Sequence, residues 1–306
     1  MPVGAIPGLH HITSICGAPQ ENLDFYAGLL GQRLVKKTVN FDAPETYHLY
    51  YGDDAGSPGT IMTFFPFVGA APGRAGPGMA SAVAYRVSAE ALNGWVDRRR
   101  LDADSVDKAE VRFGARVVVL HDPDGAPVEL IETDSVNGEA LAGFHSVTLW
   151  ERNPEPTARL LTEHLGYDAA GSETGRTERL RFVAKGKGPA SIIDIVSSDA
   201  PGPPRSGVGT IHHIAFRAES DDIQLEWRER LLAAGCDVTP VIDRQYFNAI
   251  YFREPGGVLF EIATDPPGFA VDEAPGSLGT ALKLPPKYEH LRARIERVLP
   301  PLELAS

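Results

Sequence analysis

Apolar positions along the chain follow two rhythms, a period of two and then a period near 3.6, and the pair recurs four times. Each cycle opens on a short β-branched or aromatic run: Leu9-His10-His11-Ile12-Thr13, Ala82-Val83-Ala84-Tyr85-Arg86-Val87, Phe144-His145-Ser146-Val147-Thr148 and Ile211-His212-His213-Ile214-Ala215. A helical pattern follows each run. The first carries Leu23, Tyr26 and Leu30 and stops at Gly31; the second starts at a Ser88 cap and carries Leu92, Trp95 and Val96. The third opens at Asn153-Pro154, a cap with proline in the first turn, and closes at Gly166; the fourth runs from Ser220 through Ile223, Trp227 and Leu231 to Gly235.

After each helix come about three short strands divided by turn residues. The second and fourth cycles end in similar hairpins: Asp122-Pro123-Asp124-Gly125 leads into Val128-Glu129-Leu130-Ile131, and Glu254-Pro255-Gly256-Gly257 into Phe260-Glu261-Ile262-Ala263. Spacers at 69–78, 134–142 and 200–209 separate the cycles. The pattern predicts an α+β chain of four βαβββ modules. One module leaves a face of its small sheet bare, so modules must pair, and four give two cup-shaped mixed sheets. Along the chain this reads as one pair over 1–138, a second pair over 139–270, and an extension over 271–306. In the extension, Tyr288, Leu291, Ile295 and Leu299 fall on one face of a helix over 286–299, which packs on its own domain or on a partner in a homo-oligomer.

Composition narrows the function more than the fold. The 306 residues carry a net charge of −12, which repels a phosphate backbone, and the few clustered arginines (98–100, 292–297) read as solvated helix faces. Nucleic-acid binding is therefore not expected. Cys16 and Cys236 have no paired spacing, which points to a reducing compartment and to no thiolate metal site. No basic-then-apolar leader and no run long enough to span a bilayer is present, so the expectation is a cytoplasmic protein without a membrane role.

The chemistry is carried by two His-His pairs on equivalent strands. Strand neighbours point to opposite faces. The face with His11 also carries Thr13, and that with His213 carries Ala215, whereas His10 and His212 share theirs with Ile12 and with Ile214 and Phe216. His11 and His213 are therefore expected in the cup. If Pro255-Gly256-Gly257 closes a three-residue hairpin, Glu254 pairs with Val258 and Tyr251 falls opposite Glu261. The same count in the second module puts Glu129 opposite Val119, with no histidine on its opening strand, so that copy looks empty. Two imidazoles and one carboxylate form a three-ligand face that leaves positions open on an octahedral metal, which suits iron(II), with manganese(II) as the alternative. For His10 and His212 a core position and a place beside the metal stand equal, and His48, His121, His145, His164 and His290 default to structural or surface roles.

The fourfold repeat, Leu-His-His-Ile-Thr at 9–13, Ile-His-His-Ile-Ala at 211–215 and Pro-Gly-Gly-Val-Leu-Phe-Glu at 255–261 together resemble the vicinal oxygen chelate superfamily, and more closely its ring-cleaving dioxygenases acting on hydroquinones. The likeness extends over nearly the whole chain, including Tyr47-His48-Leu49-Tyr50-Tyr51, the stretch 56–63 and the tail at 277–283. It implies Fe(II) held by His11, His213 and Glu261, a small aromatic diol and O₂ as substrates, and catalytic roles for Tyr251, Arg244, His10 and His212. Tyr251 would donate to the bound oxygen species or phenolate, Arg244 would offset negative charge, and His10 or His212 would relay protons. Extradiol catechol enzymes of the superfamily take their first histidine from the third module, where this chain has Ser146; modules one and four should therefore build the metal cup. Such enzymes also use an acid–base histidine between the last two ligands, and none occurs here between 214 and 260, which favours a hydroquinone. Two other readings share the scaffold: a glyoxalase-like metal-dependent isomerase or lyase, which wants a second carboxylate that 62–67 does not supply, and a non-catalytic protein that binds aromatic compounds or drugs.

Overall fold

A computed structural model describes residues 4–99, 110–175, 177–186, 190–199 and 202–304. Module one comprises β1 (Leu9–Cys16), α1 (Pro19–Leu23) continuing as a π turn (Asp24–Leu29), β2 (Arg33–Asn40), β3 (Ala43–Gly52) and β4 (Ile61–Pro66). Module two has β5 (Met79–Val87), α2 (Ala89–Arg99), β6 (Glu110–Arg112), β7 (Ala115–His121) and β8 (Pro127–Glu132). Module three has β9 (Phe144–Glu151), α3 (Glu155–Arg159) with a π turn (Leu160–His164), β10 (Tyr167–Thr174), β11 (Glu178–Ala184) and β12 (Ile192–Ser197). Module four has β13 (Thr210–Ala218), α4 (Asp221–Ala233), β14 (Ile242–Asp243), β15 (Phe247–Arg253) and β16 (Leu259–Pro267).

The strands form two eight-stranded mixed sheets, β14-β15-β16-β13-β1-β4-β3-β2 and β10-β11-β12-β9-β5-β8-β7-β6. Module four thus pairs with module one, and module three with module two, each through an antiparallel seam (β1 with β13, β5 with β9). The sheets do not follow the sequence halves 1–138 and 139–270: each takes one module from either half. Helices cover the outer faces. Ser88 and Ser220 cap α2 and α4 by accepting from Ala91 and Ile223, and Gly31 and Gly166, both at positive φ, end the two π turns. Trp227 and Leu231 of α4 are fully buried, each such side chain contributing about 1.5–3 kcal/mol. Gln224, beside them, donates to the carbonyls of Asn248 and Ile262 and so ties α4 to β15 and β16.

The C-terminal extension departs from expectation. Instead of one helix over 286–299 it forms α5 (Pro286–Glu289) and α6 (Arg292–Val298), separated by a bend at Leu291. The bend lets two anchors be met together: the Tyr288 hydroxyl donates to the Phe41 carbonyl, while Ile295 and Leu299 bury in the core. The extension also carries Asp272 and Glu273, which receive the ammonium of the fully buried Lys36. Asp272 accepts in addition from Gln245 and Tyr246, residues of the turn before β15. The extension therefore packs on its own chain and fixes the two turns, 40–42 and 244–247, that flank the concave face of the first sheet.

Candidate metal centre and its cavity

On the concave face of the first sheet, β1 and β13 pair with Thr13 opposite His213 and His11 opposite Ala215. In parallel, β13 pairs with β16 so that Ala215 meets Glu261. These registers bring three groups from modules one and four together. His11 Nε2 lies 3.3 Å from His213 Nε2, and Glu261 Oε2 lies 2.9 Å from His213 Nε2 and 3.4 Å from His11 Nε2. Among the described residues this is the one group of three or more His, Cys, Asp or Glu side chains whose ligand atoms converge.

Chemistry, not proximity alone, marks the cluster as a candidate cation site. Glu261 is fully buried, and neither of its oxygens receives a well-directed hydrogen bond, although imidazole nitrogens stand beside it. A buried carboxylate without donors is costly unless a cation answers it. Metal–ligand bonds of about 2.1 Å at right angles would put neighbouring ligand atoms about 3 Å apart, close to the separations seen. Burial would raise the Glu261 pKa, but His11 and His213 outweigh it and hold the carboxyl well below its ordinary range. Burial also lowers His213, favouring the neutral imidazole that a metal requires.

The other two histidines are brought to the same cluster by β-bulges. The β1–β13 register shifts between Leu9 and His11 and again where Thr13–Ser14 faces His213–Ile211, leaving His10 and His212 as the extra residues. Strict alternation would turn them away; the bulges place His10 Nδ1 3.0 Å from His11 Nδ1 and His212 Nδ1 2.8 Å from His213 Nδ1. Burial and then His11 push His10 down to about 3, and burial and then His213 push His212 down to about 4. As neutral acceptors they keep Nδ1–H on His11 and His213, which leaves both Nε2 lone pairs facing Glu261.

Hairpin pairing agrees with the count: Glu254 N–H donates to the Val258 carbonyl, and Tyr251 stands opposite Glu261. In the second sheet, likewise, Val119 stands opposite Glu129. Burial and then Glu261 raise the Tyr251 pKa, keeping the phenol protonated. Arg244 donates from Nε to the Tyr251 hydroxyl (3.2 Å) and from Nη1 to Asp42 (3.1 Å), bridging the two flanking turns. The seven candidate residues named from the sequence therefore lie in one cluster.

His48, expected above in a structural or surface role, is found in the wall of this site. It lines the cavity, hydrogen-bonded through Nε2 to Thr63 and through Nδ1 to Tyr50. Strand alternation could have found it, since Tyr47, Leu49 and Tyr51 take the covered face of β3 and leave His48 and Tyr50 to the cup. The cavity has a volume of about 360 Å³, apolar walls from Phe41, Phe65, Phe67 and Phe247, and His11, His213, Arg244 and Tyr251 at one end.

Comparison with known proteins places this geometry. The model of the glyoxalase/bleomycin resistance protein/dioxygenase superfamily matches residues 8–130 and 143–262. A Bacillus subtilis protein named "Putative ring-cleaving dioxygenase MhqO" is 45% identical over 309 residues, covering 97% of each chain. The chlorohydroquinone/hydroquinone 1,2-dioxygenase of Sphingobium indicum is 34% identical over 311 residues, 96% of each. A crystal structure from Bacillus subtilis superposes with a TM-score of 0.91 at 44% identity over 99% of both chains. In sequence and in its two curled eight-stranded sheets, the chain belongs to the glyoxalase/bleomycin resistance protein/dioxygenase superfamily, with the vicinal oxygen chelate fold.

Proposed function

We propose that the protein is a non-haem Fe(II) dioxygenase that opens the ring of a hydroquinone with O₂. The observation that carries this reading is the convergence of His11 Nε2, His213 Nε2 and the donor-starved Glu261 carboxylate at the end of a cavity walled by aromatic side chains. A three-ligand face of this kind suits a metal that must also take substrate and O₂. The names of the relatives support the same activity. Bound iron would supply the redox chemistry that joins the diol to O₂.

The chain's own groups do the rest. The phenylalanine walls hold one aromatic ring and keep water away from it. Arg244, a permanent cation, offsets negative charge gathering on substrate oxygens. Tyr251 holds a phenolic proton beside Glu261 for donation, and Arg244 orients that hydroxyl. His212 is exposed toward solvent on one side and bonded to His213 on the other, so it is placed to pass protons outward; His10, enclosed, fixes the His11 ring. A reducing, cytoplasmic setting suits such a metal. Among the described residues no helix is long and apolar enough to cross a membrane.

The test is anaerobic reconstitution with Fe(II), addition of hydroquinone, and admission of air. Stoichiometric O₂ uptake with a new ring-opened chromophore is expected. Bound metal without O₂ uptake on any aromatic diol would overturn the dioxygenase reading in favour of an isomerase.

A further inference from the structure

Four side chains form a hydrogen-bonded line along the cavity wall. Thr13 Oγ1 lies 2.9 Å from Thr63 Oγ1, Thr63 Oγ1 2.8 Å from His48 Nε2, and His48 Nδ1 2.8 Å from Tyr50 Oη. Sheet register explains the line: Thr13 pairs with Thr63 across β1 and β4, and Thr63 with Tyr50 across β4 and β3. His48, two residues before Tyr50, shares its face. Thr13 begins the line two residues from His11, and Tyr50 ends it on β3, two strands from β1.

An imidazole with one proton offers one donor and one acceptor, so it passes direction along such a line. Burial, and after it His11, His213 and Arg244, holds His48 far below the ordinary imidazole pKa, so it stays neutral. With Tyr50 donating to Nδ1, the Nε2–H donates to Thr63, and Thr63 to Thr13. The Tyr50 oxygen then keeps its lone pairs for whatever fills the cavity. Its ring is locked against His48, Tyr246 and Phe269, so the hydroxyl cannot swing away.

Position decides what that oxygen meets. β3 lies two strands from β1, about 10 Å along the sheet, and Tyr50 lines the same cavity as His11 and His213, an interval of the order that one ring with a hydroxyl at each end would span. A catechol would bring both oxygens to the metal end and leave the Tyr50 end empty. We propose that Tyr50, oriented by His48 and Thr63, accepts a hydrogen bond from the hydroxyl para to the metal-bound oxygen and so selects 1,4-diols. The assignment rests on the ring-cleaving reading above and extends it to specificity.

The probes are hydroquinone and 4-methylphenol, which differ by hydroxyl against methyl at the far end of the ring. Anaerobic titration of the Fe(II)-loaded protein should show hydroquinone binding more tightly. In Tyr50→Phe that preference should fall roughly tenfold, through weaker hydroquinone binding with 4-methylphenol unchanged, and KM for hydroquinone should rise more than kcat falls. Thr63→Val should lose part of the preference and Thr63→Ser should retain it, which a packing role for Thr63 would not produce. A preference unchanged in Tyr50→Phe, or equal losses in both Thr63 variants, overturns the assignment while leaving the dioxygenase reading in place. Should Tyr50→Phe not fold, the two Thr63 variants decide alone. Wild-type protein that takes up no O₂ with either a 1,4- or a 1,2-diol overturns the parent reading and this one with it.

Discussion

In the cup of modules one and four, Glu261 faces two imidazole nitrogens and receives no donor; in the cup of modules two and three, the equivalent Glu129 receives the Arg112 guanidinium at 2.6 Å. The equivalence comes from register. Glu261 pairs with Ala215 and Ala215 with His11; Glu129 pairs with Ala84 and Ala84 with Ser146. Ser146 thus replaces His11, Ala82 replaces His213, and Val119 replaces Tyr251. Even Thr63, paired with Thr13, has a counterpart in Asp194, paired with Thr148, and Asp194 is held by Arg179 and Arg181. One backbone frame therefore supports two kinds of interior. Fixed guanidinium charges fill and neutralise the second cup, while the first keeps lone pairs that an incoming cation would satisfy.

The hardest blow to this contrast would come from Glu261→Gln. It should abolish tight metal binding and lower turnover by roughly 10³-fold or more, with the fold intact by circular dichroism; metal content near wild type would remove Glu261 from the ligand set. Tyr251→Phe should keep the metal yet lower kcat roughly 10²-fold, and full turnover in that variant would strip the phenol of any part in proton transfer. Glu129→Leu in the other cup should leave metal and kcat untouched while lowering stability by about 2 kcal/mol, because Arg112 keeps Glu110 as a partner. Any loss of metal there would mean the cups are not independent.

The smallest effect concerns the hairpin ends. In module two Asp122 accepts from its own turn and from the Tyr26 hydroxyl; in module four Glu254 accepts from its own turn and from Thr157. Each has a second acid nearby: Asp122 has Asp124 of its own turn, whereas Glu254 has the fully buried Glu151 from β9, packed against it and against Gly256. Burial, and then Glu254, raise Glu151 from 4.5 to about 8, so it is protonated at neutral pH and can donate to Glu254. An acid raised on folding adds stability that is complete below its unfolded pKa and fades as pH climbs to the folded one. The Glu151 contribution should therefore fade between about pH 4.5 and 8, so the stability difference between wild type and Glu151→Gln should shrink as pH rises across that range in paired denaturant titrations.

Much of this was legible in the sequence because its signals are local and periodic. The His-His pairs, the hairpin count that set Tyr251 against Glu261, and Ser146 in the third module pointed to the cup and to the three side chains that converge in it. Reading left the answer open where one extra residue changes direction. Strand alternation sends His10 and His212 away from the cluster, and only the bulges return them. His48 escaped because alternation along its own strand went unread, although Tyr47, Leu49 and Tyr51 mark the covered face, and the helix over 286–299 reads as continuous until Tyr288 and Ile295 are seen to need different neighbours.

The seam between β1 and β13 joins the first module to the last, with His11 and His213 separated by 202 positions in the sequence. During synthesis β1 emerges early and waits, its partner strand unmade, until module four leaves the ribosome. A nascent chain stopped short of Glu261 holds no complete ligand set, and one stopped short of Asp272 lacks the carboxylates that clasp Lys36. The metal proposed above can therefore be held only once module four has been made, so its loading would report a chain translated past Glu261.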